Sequence, residues 1–151
     1  MEKKTASELF QVYTQWIQIY GLTTSEARVL SRLYIDQEPK STDDLSFSLG
    51  MSKTTVNKNL RTLAHMNMVQ KVWVKGSRKD HFIPEQDLYK QFKHGMTDPL
   101  LSHIKKQQES LIQIQKHGHY SDLDCQVKTL AHFLKVTRKL IEDLDHGMTK
   151  S

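Results

Sequence analysis

The stretch LGMSKTTVNKNLRTL, residues 49–63, determines the fold that the sequence predicts. Just before it, Ser41 can cap a short helix, and Gly50 can end that helix in a left-handed conformation. Ser52 can then cap a second helix, whose apolar positions we expect to face inward. These positions are Val56, Leu60, Leu63 and Ala64. Two short helices separated by a tight turn that contains glycine match the spacing of a helix-turn-helix.

The second predicted helix has a polar outward face. Its members are Ser52, Lys53, Thr54, Thr55, Asn57, Lys58 and Arg61. Side chains of these types donate hydrogen bonds to phosphates and read base edges in the major groove of double-stranded DNA. In such a helix Asn57 can pair with adenine through two hydrogen bonds, and Lys58 can donate to guanine. Polar amphipathic helices are common, so this face needs a second observation beside it.

A β-hairpin is predicted directly after this helix. Residues 69–74, VQKVWV, are rich in β-branched and aromatic side chains, and a turn with glycine follows at 75–78. Residues 79–83 can return as a second strand. The cations at or beside the turn are Lys75, Arg78 and Lys79. A hairpin in this place is the wing of a winged helix, and cations at its tip can contact the DNA backbone or the minor groove.

Positive charge is concentrated in the same segment. The chain carries 22 Lys and Arg against 17 Asp and Glu, which gives a net charge of +5. Seven of the basic residues lie between Gly50 and Asp80, where Asp80 is the only acid. A basic surface on one continuous segment indicates a polyanionic partner. The alternative interpretation is a solvated basic face on a winged-helix module that binds another protein.

Length and composition narrow the class of protein. A chain of 151 residues fits one domain, or one domain with an added helical element. The single cysteine, Cys125, excludes an intramolecular disulfide and fits a reducing compartment. No apolar run approaches the ~18 residues of a membrane span, and the N-terminus lacks the apolar region of a signal peptide. We therefore expect a cytoplasmic protein that makes no use of a membrane.

The sequence gives little support to catalysis, a cofactor or a metal. It shows no phosphate-binding glycine loop, nucleophile elbow or pair of carboxylates that would carry a reaction. The 8 histidines and the lone cysteine lack the spacing of metal ligands. We expect a protein without enzymatic activity, without a cofactor and without a bound metal.

The N-terminal segment reads as an amphipathic helix that is rich in aromatic residues. They are Phe10, Tyr13, Trp16 and Tyr20. One interpretation is that these rings form core and dimer contacts. The other is a cage for a quaternary ammonium ligand, because ring faces attract such cations. The candidate cage residues are Tyr13, Trp16, Tyr20 and Tyr34.

The C-terminal part is also predicted to be helical, from Pro84 and again from Asp98 and Pro99. In the last helix apolar residues alternate in steps of four and three residues, with one polar interruption, as in a coiled coil. The positions are Leu123, Val127, Leu130, Leu134, Thr137, Ile141 and Leu144. We expect this seam to pair two copies of the chain. The alternative is pairing within the chain, against the helix at 100–114.

The segments 49–63 and 68–80 resemble the GbsR branch of the MarR-type winged-helix regulators. The resemblance rests on the turn GMSK at 50–53 and on the wing sequence KVWVKGSRKD at 71–80, and it extends over about half the chain. It implies a homodimeric bacterial repressor whose flanking helices form the dimer. Relatives in this branch control glycine-betaine synthesis or the uptake of choline and osmoprotectants, and choline relieves their repression. The resemblance therefore implies a choline-like effector.

Together these observations predict a mainly α fold with a small β-hairpin wing. A winged helix-turn-helix domain at 23–84 is flanked by an N-terminal dimerisation helix at 1–22 and a C-terminal helical dimerisation region at 85–151. The expected partners are double-stranded DNA, a second copy of the chain and a choline-like cation. The alternatives are a protein-interaction module, or a regulator of the same type that responds to another ligand or to oxidation of Cys125.

Overall fold

The computed structural model describes residues 1–118 and 121–149, which contain seven α-helices and three short β-strands. The helices are α1 (Glu2–Ile17), α2 (Thr24–Asp36), α3 (Thr42–Leu49), α4 (Lys53–His65), α5 (Leu88–Phe92), α6 (Asp98–His117) and α7 (Asp124–Thr149). The strands are β1 (Lys40–Ser41), β2 (Val69–Val72) and β3 (His81–Pro84). This structure confirms the predicted fold class, mainly α with a small β-hairpin. The remaining positions of the predicted C-terminal region, 119–120 and 150–151, lie outside the described residues.

Three short segments of other helical geometry complete the described structure. They are the 3₁₀-helices Gln18–Tyr20 and Ser121–Leu123 and the π-helical turn Lys93–Thr97. The chain divides after Gly95 into two compact units. Among the described residues, no helix is long and apolar enough to cross a membrane.

The starts of α2, α3 and α4 follow from their capping residues. Thr23 and Glu26 form a reciprocal capping box at α2, and Ser41 and Asp44 form another at α3. Ser52 caps α4 by accepting a hydrogen bond from a backbone N–H of its first turn. The sequence analysis predicted the starts of α3 and α4 at Ser41 and Ser52, and the structure confirms both.

Aliphatic side chains from α1 to α4 form the core of the first unit. The fully buried ones include Ile17, Ala27, Leu30, Leu33, Leu45, Val56 and Leu63. Val56, Leu60 and Leu63 confirm the predicted inward face of α4. Ala64 was also predicted to face inward, but it is exposed. One residue turns about 100° around a helix, so position 64 falls outside the buried stripe that ends at Leu63.

The hairpin is shorter than the sequence predicted, and a third strand, β1, extends it into a three-stranded sheet. β2 and β3 pair antiparallel, with Val69 opposite Pro84 and Val72 opposite His81. β1 pairs with the other edge of β3, placing Ser41 opposite His81. Pro84 was predicted to begin a helix, but it ends β3. The helix starts at Leu88 instead, because Asp87 accepts the backbone N–H groups of its first turn.

The second unit is a pair of helices with an apolar contact between them. Buried side chains from α6 and α7 form this contact, and they are Ile104, Leu111, Val127 and Leu134. Two positions of the predicted coiled-coil seam, Val127 and Leu134, are therefore used inside the chain. Leu130 and Leu144, from the same seam, remain about half exposed, at 47% and 45%. The structure thus divides the seam between two faces of α7. The sequence could not show this division, because a period of 3.5 residues fits pairing within the chain as well as pairing between chains.

Candidate nucleic-acid interface

The predicted DNA-contacting residues of α4 lie on its outward face. The exposed ones are Ser52, Lys53, Thr54, Asn57, Lys58 and Arg61. Thr55 is half-buried, and its hydroxyl accepts a hydrogen bond from the Ser52 hydroxyl at 2.8 Å. The buried side of α4 is fixed against the core, so this face has one orientation relative to the first unit. These positions can offer hydroxyl, amide and cationic donors to a single partner.

Backbone and side-chain contacts fix the turn between α3 and α4. Gly50 lies in the left-handed region with φ of 64°, a conformation that favours glycine. The Ser46 hydroxyl donates to the carbonyl of Met51 on the far side of the turn. Arg28, on α2, donates to the carbonyl of Leu49 at 3.3 Å. Side chains of α3 and α2 therefore hold the turn in place.

Asn59 is a polar residue inside the helix-turn-helix that the sequence pattern did not single out. Its side chain is only 5% exposed. Nδ2 of Asn59 donates to the hydroxyl of Ser25, on α2, at 2.7 Å. That hydroxyl in turn lies 3.7 Å from the sulfur of Met51 in the turn. A buried amide with such partners sets how α4 lies against α2.

The wing loop, residues 73–80, joins β2 and β3. Its predicted contact residues Lys75, Arg78 and Lys79 are all exposed. Gly76 has φ of 85°, which allows the tight turn at the tip. Trp73, at the start of the loop, is 79% exposed.

One acidic residue from α3 lies among these cations. Asp43 binds Lys53 of α4 at 2.9 Å and also binds Lys79 of the wing loop. Hydrogen bonds from Lys79 and Lys53 lower the pKa of Asp43 to about 2. The same contact raises the pKa of Lys79. Asp43 lies outside the basic segment in sequence, so the charge count along the chain could not reveal it.

The remaining cations of the candidate interface differ in their partners. Lys71 lies 3.2 Å from Asp80 across the hairpin. Four others make no ion pair within residues 1–118 and 121–149, namely Lys58, Arg61, Lys75 and Arg78. Their charge is therefore the part of the basic surface that stays available to a polyanion.

The structure places the four candidate cage residues in two pairs. The rings of Tyr13 and Tyr34 stack with their centroids 4.4 Å apart. The Tyr13 hydroxyl donates to Oε1 of buried Gln91 at 2.8 Å, and burial raises the pKa of Tyr13. Tyr20 is buried and meets Trp16 edge to face, with centroids 6.2 Å apart. In each pair, part of the ring surface that a cation would contact is covered by the other ring.

Two helices carry exposed apolar stripes. The α1 stripe consists of Leu9, Val12 and Trp16 of α1 and Ile19 of the 3₁₀-helix that follows it, and these residues are between 48% and 65% exposed. The α7 stripe consists of Leu130, Phe133, Leu140 and Leu144, which are between 45% and 64% exposed. In both stripes the residues are spaced so that they fall on one side of a helix. Large apolar side chains grouped in this way are typical of a surface that contacts another molecule.

Known protein families and structures include several that are similar to this chain. Residues 17–92, half of the chain, match the family model described as sugar-specific transcriptional regulator TrmB. The HTH-type transcriptional repressor OpcR of Bacillus subtilis is 33% identical over 84 residues, covering 56% of this chain and 45% of the relative. The HTH-type transcriptional repressor GbsR of the same organism is 30% identical over 76 residues, covering 50% and 42%. Each alignment thus spans less than half of the relative's length.

A solved structure agrees with the fold. The crystal structure of a transcriptional regulator superposes with a TM-score of 0.69 over 97% of this chain and 99% of the other. The two sequences are 17% identical, so the likeness concerns the fold alone.

Proposed function

Because the chain belongs to the TrmB family of transcriptional regulators, we propose that it represses transcription by inserting α4 into the major groove of double-stranded DNA. The observation that carries this proposal is the exposed polar face of α4 next to a wing loop with three exposed cations. In helix-turn-helix docking the N-terminal part of the second helix contacts base edges. The wing loop would then contact the backbone or the minor groove.

The candidate residues have two roles in this proposal. Thr54, Asn57 and Lys58 lie in the first two turns of α4, where side chains reach bases. Arg61, Lys75 and Arg78 supply unpaired positive charge for phosphates, which position a protein but carry little sequence information. Ser52, Lys53, Thr55 and Lys79 complete the proposed interface.

We also propose that the protein acts as a homodimer. The support comes from the α1 stripe and the α7 stripe, which expose large apolar side chains at helical spacing. Burying such a side chain contributes about 1.5–3 kcal/mol, so pairing with a second copy would stabilise both stripes. A dimer would present two copies of α4 to a near-palindrome with half-sites about 34 Å apart.

The proposed effector is a choline-like cation, which rests on the resemblance to GbsR. Cation–aromatic contact already occurs beside the candidate residues, since the Arg32 guanidinium lies 4.7 Å from the centre of the Phe10 ring. The stacked rings of Tyr13 and Tyr34 would have to separate to enclose a ligand between them. The family description names sugars instead, so a neutral sugar is the competing effector class.

The decisive experiment is a binding titration of the purified chain with duplex DNA from its own upstream region and with random duplex of equal length. We expect preference for the upstream duplex and an affinity that falls linearly with the logarithm of salt concentration. Absence of binding at low salt would favour the protein-interaction module. Adding choline, and separately a neutral sugar, tests the effector: release of DNA by choline alone supports the proposed class, and release by sugar alone contradicts it.

A further inference from the structure

Asn57, the proposed base-reading amide of α4, is held by a side chain of the neighbouring helix. The hydroxyl of Thr42, at the first position of α3, donates a hydrogen bond to Oδ1 of Asn57 at 2.8 Å. The two residues are 15 positions apart in sequence. Asn57 is exposed and Thr42 is half-buried. The amide oxygen therefore faces α3. Nδ2 makes no hydrogen bond to a described residue, so both of its N–H groups can donate to a ligand.

This contact changes what Asn57 offers to a base. An amide that reads adenine uses both ends, since its oxygen accepts from the N6 amino group while its nitrogen donates to N7. Here Oδ1 faces α3 and one of its two lone pairs accepts from Thr42, so Nδ2, which can only donate, is the end of the amide that does not contact α3. Guanine presents two acceptors in the major groove, O6 and N7, whereas adenine presents one acceptor and one donor. An amide that acts as a donor fits the edge of guanine better.

We propose that Thr42 is a positioning residue that makes Asn57 prefer guanine over adenine. This inference rests on the proposed function of α4. The proposal replaces the two-hydrogen-bond reading of adenine that the sequence alone suggested. The start of α3 does not depend on the Thr42 hydroxyl, because Ser41 and Asp44 form its capping box. Among the described residues the hydroxyl makes no other hydrogen bond. Replacing Thr42 with valine thus removes one contact and keeps the branched shape of the side chain.

The test is selection of bound duplexes from a library with a randomised centre, using the full chain and four variants. The wild type should select guanine at one position of each half-site, and Asn57→Ala should lose that preference. Thr42→Val should shift the guanine-to-adenine ratio toward adenine by about five- to tenfold, the size expected for one base-edge hydrogen bond. Thr42→Ser keeps the hydroxyl and should behave as the wild type. Thr42→Val added to Asn57→Ala should have no further effect on base preference.

Three results would overturn the inference. The first is an unchanged base ratio in a folded Thr42→Val variant, with folding checked by thermal melting. The second is an equal shift whether or not Asn57 is present, which would mean that Thr42 acts through the shape of α3. The third is that the wild type selects adenine, rather than guanine, at the position where Asn57→Ala loses its base preference. Sequence-selective binding by the wild type supports the proposed function in all three cases, whereas absence of any duplex binding would overturn both.

Discussion

Oδ1 of Asp43, in the first turn of α3, lies 2.9 Å from the Nζ atom of Lys53, the first residue of α4. The same carboxylate binds Lys79 of the wing loop. One acid thus joins both helices of the helix-turn-helix and the loop beside them. Its negative charge also lies on the surface that we propose faces phosphates, where it offsets part of the positive charge.

Replacing Asp43 with asparagine should therefore strengthen binding to duplex DNA of any sequence. Lys53 and Lys79 would lose their protein partner, and each would be free to bind a phosphate. The salt dependence should become steeper by about one unit for each phosphate that a released lysine neutralises. Fluorescence anisotropy with a random duplex at several salt concentrations measures both effects. Glu142→Gln on α7 is the matched control, because it removes the same charge from an ion pair outside the proposed interface. Equal effects of the two variants would contradict this role of Asp43.

The same carboxylate should not act as a pH switch near neutrality. Its pKa is lowered from 3.8 to about 2 by the two lysines. The ion pairs are therefore fully formed above pH 3.8 and are lost only as the pH falls through about 2. The affinity ratio between Asp43→Asn and wild type should stay constant when the pH is lowered from neutral to about 5, since the carboxylate remains ionised there. Convergence of the two affinities over that range in the anisotropy titration would show that the Asp43 carboxylate does titrate there.

Arg78→Ala and Asn57→Ala should weaken DNA binding in different ways. Arg78 lies on the wing loop and makes no ion pair with a described residue, so its loss should weaken binding to all sequences. The salt slope should become shallower by about one unit, because one fewer phosphate is neutralised. Asn57→Ala should reduce preference at particular base pairs and leave the salt slope nearly unchanged. Titrations on cognate and random duplexes distinguish the two, and an equal loss on both duplexes for both variants would refute the division of roles.

Asn59→Ala should destabilise the first unit, whereas Asn57→Ala should not. Asn59 is 5% exposed, and removal of its amide leaves the half-buried Ser25 hydroxyl without its 2.7 Å donor. The expected cost is about 1–3 kcal/mol. Asn57 is exposed on the same helix, where alanine is a good helix former. Thermal and urea unfolding measure both variants, and a wild-type stability for Asn59→Ala would show that the amide does not hold α4 to α2.

Leu130→Lys combined with Leu140→Lys should dissociate the proposed dimer without unfolding the chain. Both side chains belong to the α7 stripe and are 47% and 64% exposed. Leu134→Lys should instead unfold the second unit, because Leu134 is buried against α6. His132→Lys, on another face of α7, is the control that should leave the association unchanged. Light scattering gives the mass of each variant, and a wild-type monomer at micromolar concentration would rule out the dimer.

Tyr13→Phe should lower the stability of the protein near neutral pH. At alkaline pH the variant should lose less further stability than the wild type does. The variant keeps the stack with Tyr34 but leaves buried Gln91 without the donor that lies at 2.8 Å, at a cost of about 1–3 kcal/mol. Burial raises the pKa of Tyr13, so its contribution is complete below pH 10.0 and is lost as the pH rises above that value. Urea unfolding between neutral and alkaline pH tests this. A wild type and variant that lose stability in parallel above that value would contradict it.

The sequence predicted those parts of the fold that depend on neighbouring residues. Capping residues such as Thr23, Ser41 and Ser52 act within one turn of their own helix, so a local pattern reveals them. The buried stripe of α4 has the same local origin. The outward face of α4 followed from it, because a helix with one buried side must present the other.

The features that the sequence did not predict depend on residues far apart in the chain. Asp43 reaches Lys79 across 36 positions, and Asn59 reaches Ser25 across 34. β1 has two residues, too few to show an alternating pattern. The seam on α7 was ambiguous for another reason: the same spacing suits pairing within the chain and pairing between chains, and only the position of α6 decides which residues are covered.

The pairing of β1 with β3 has a consequence for how such a regulator can change. Ser41 is at once the cap of α3 and the strand partner of His81, at the base of the wing loop. The frame from which the loop projects is therefore built into the start of the helix-turn-helix. Insertions or deletions between residues 73 and 80 would lengthen or shorten the reach of the loop while its point of attachment stayed in place. Mutation in the loop can thus retune the proposed contacts with the DNA backbone while the start of α3 stays in place. The exception is Lys79, because its partner Asp43 also binds Lys53 of α4.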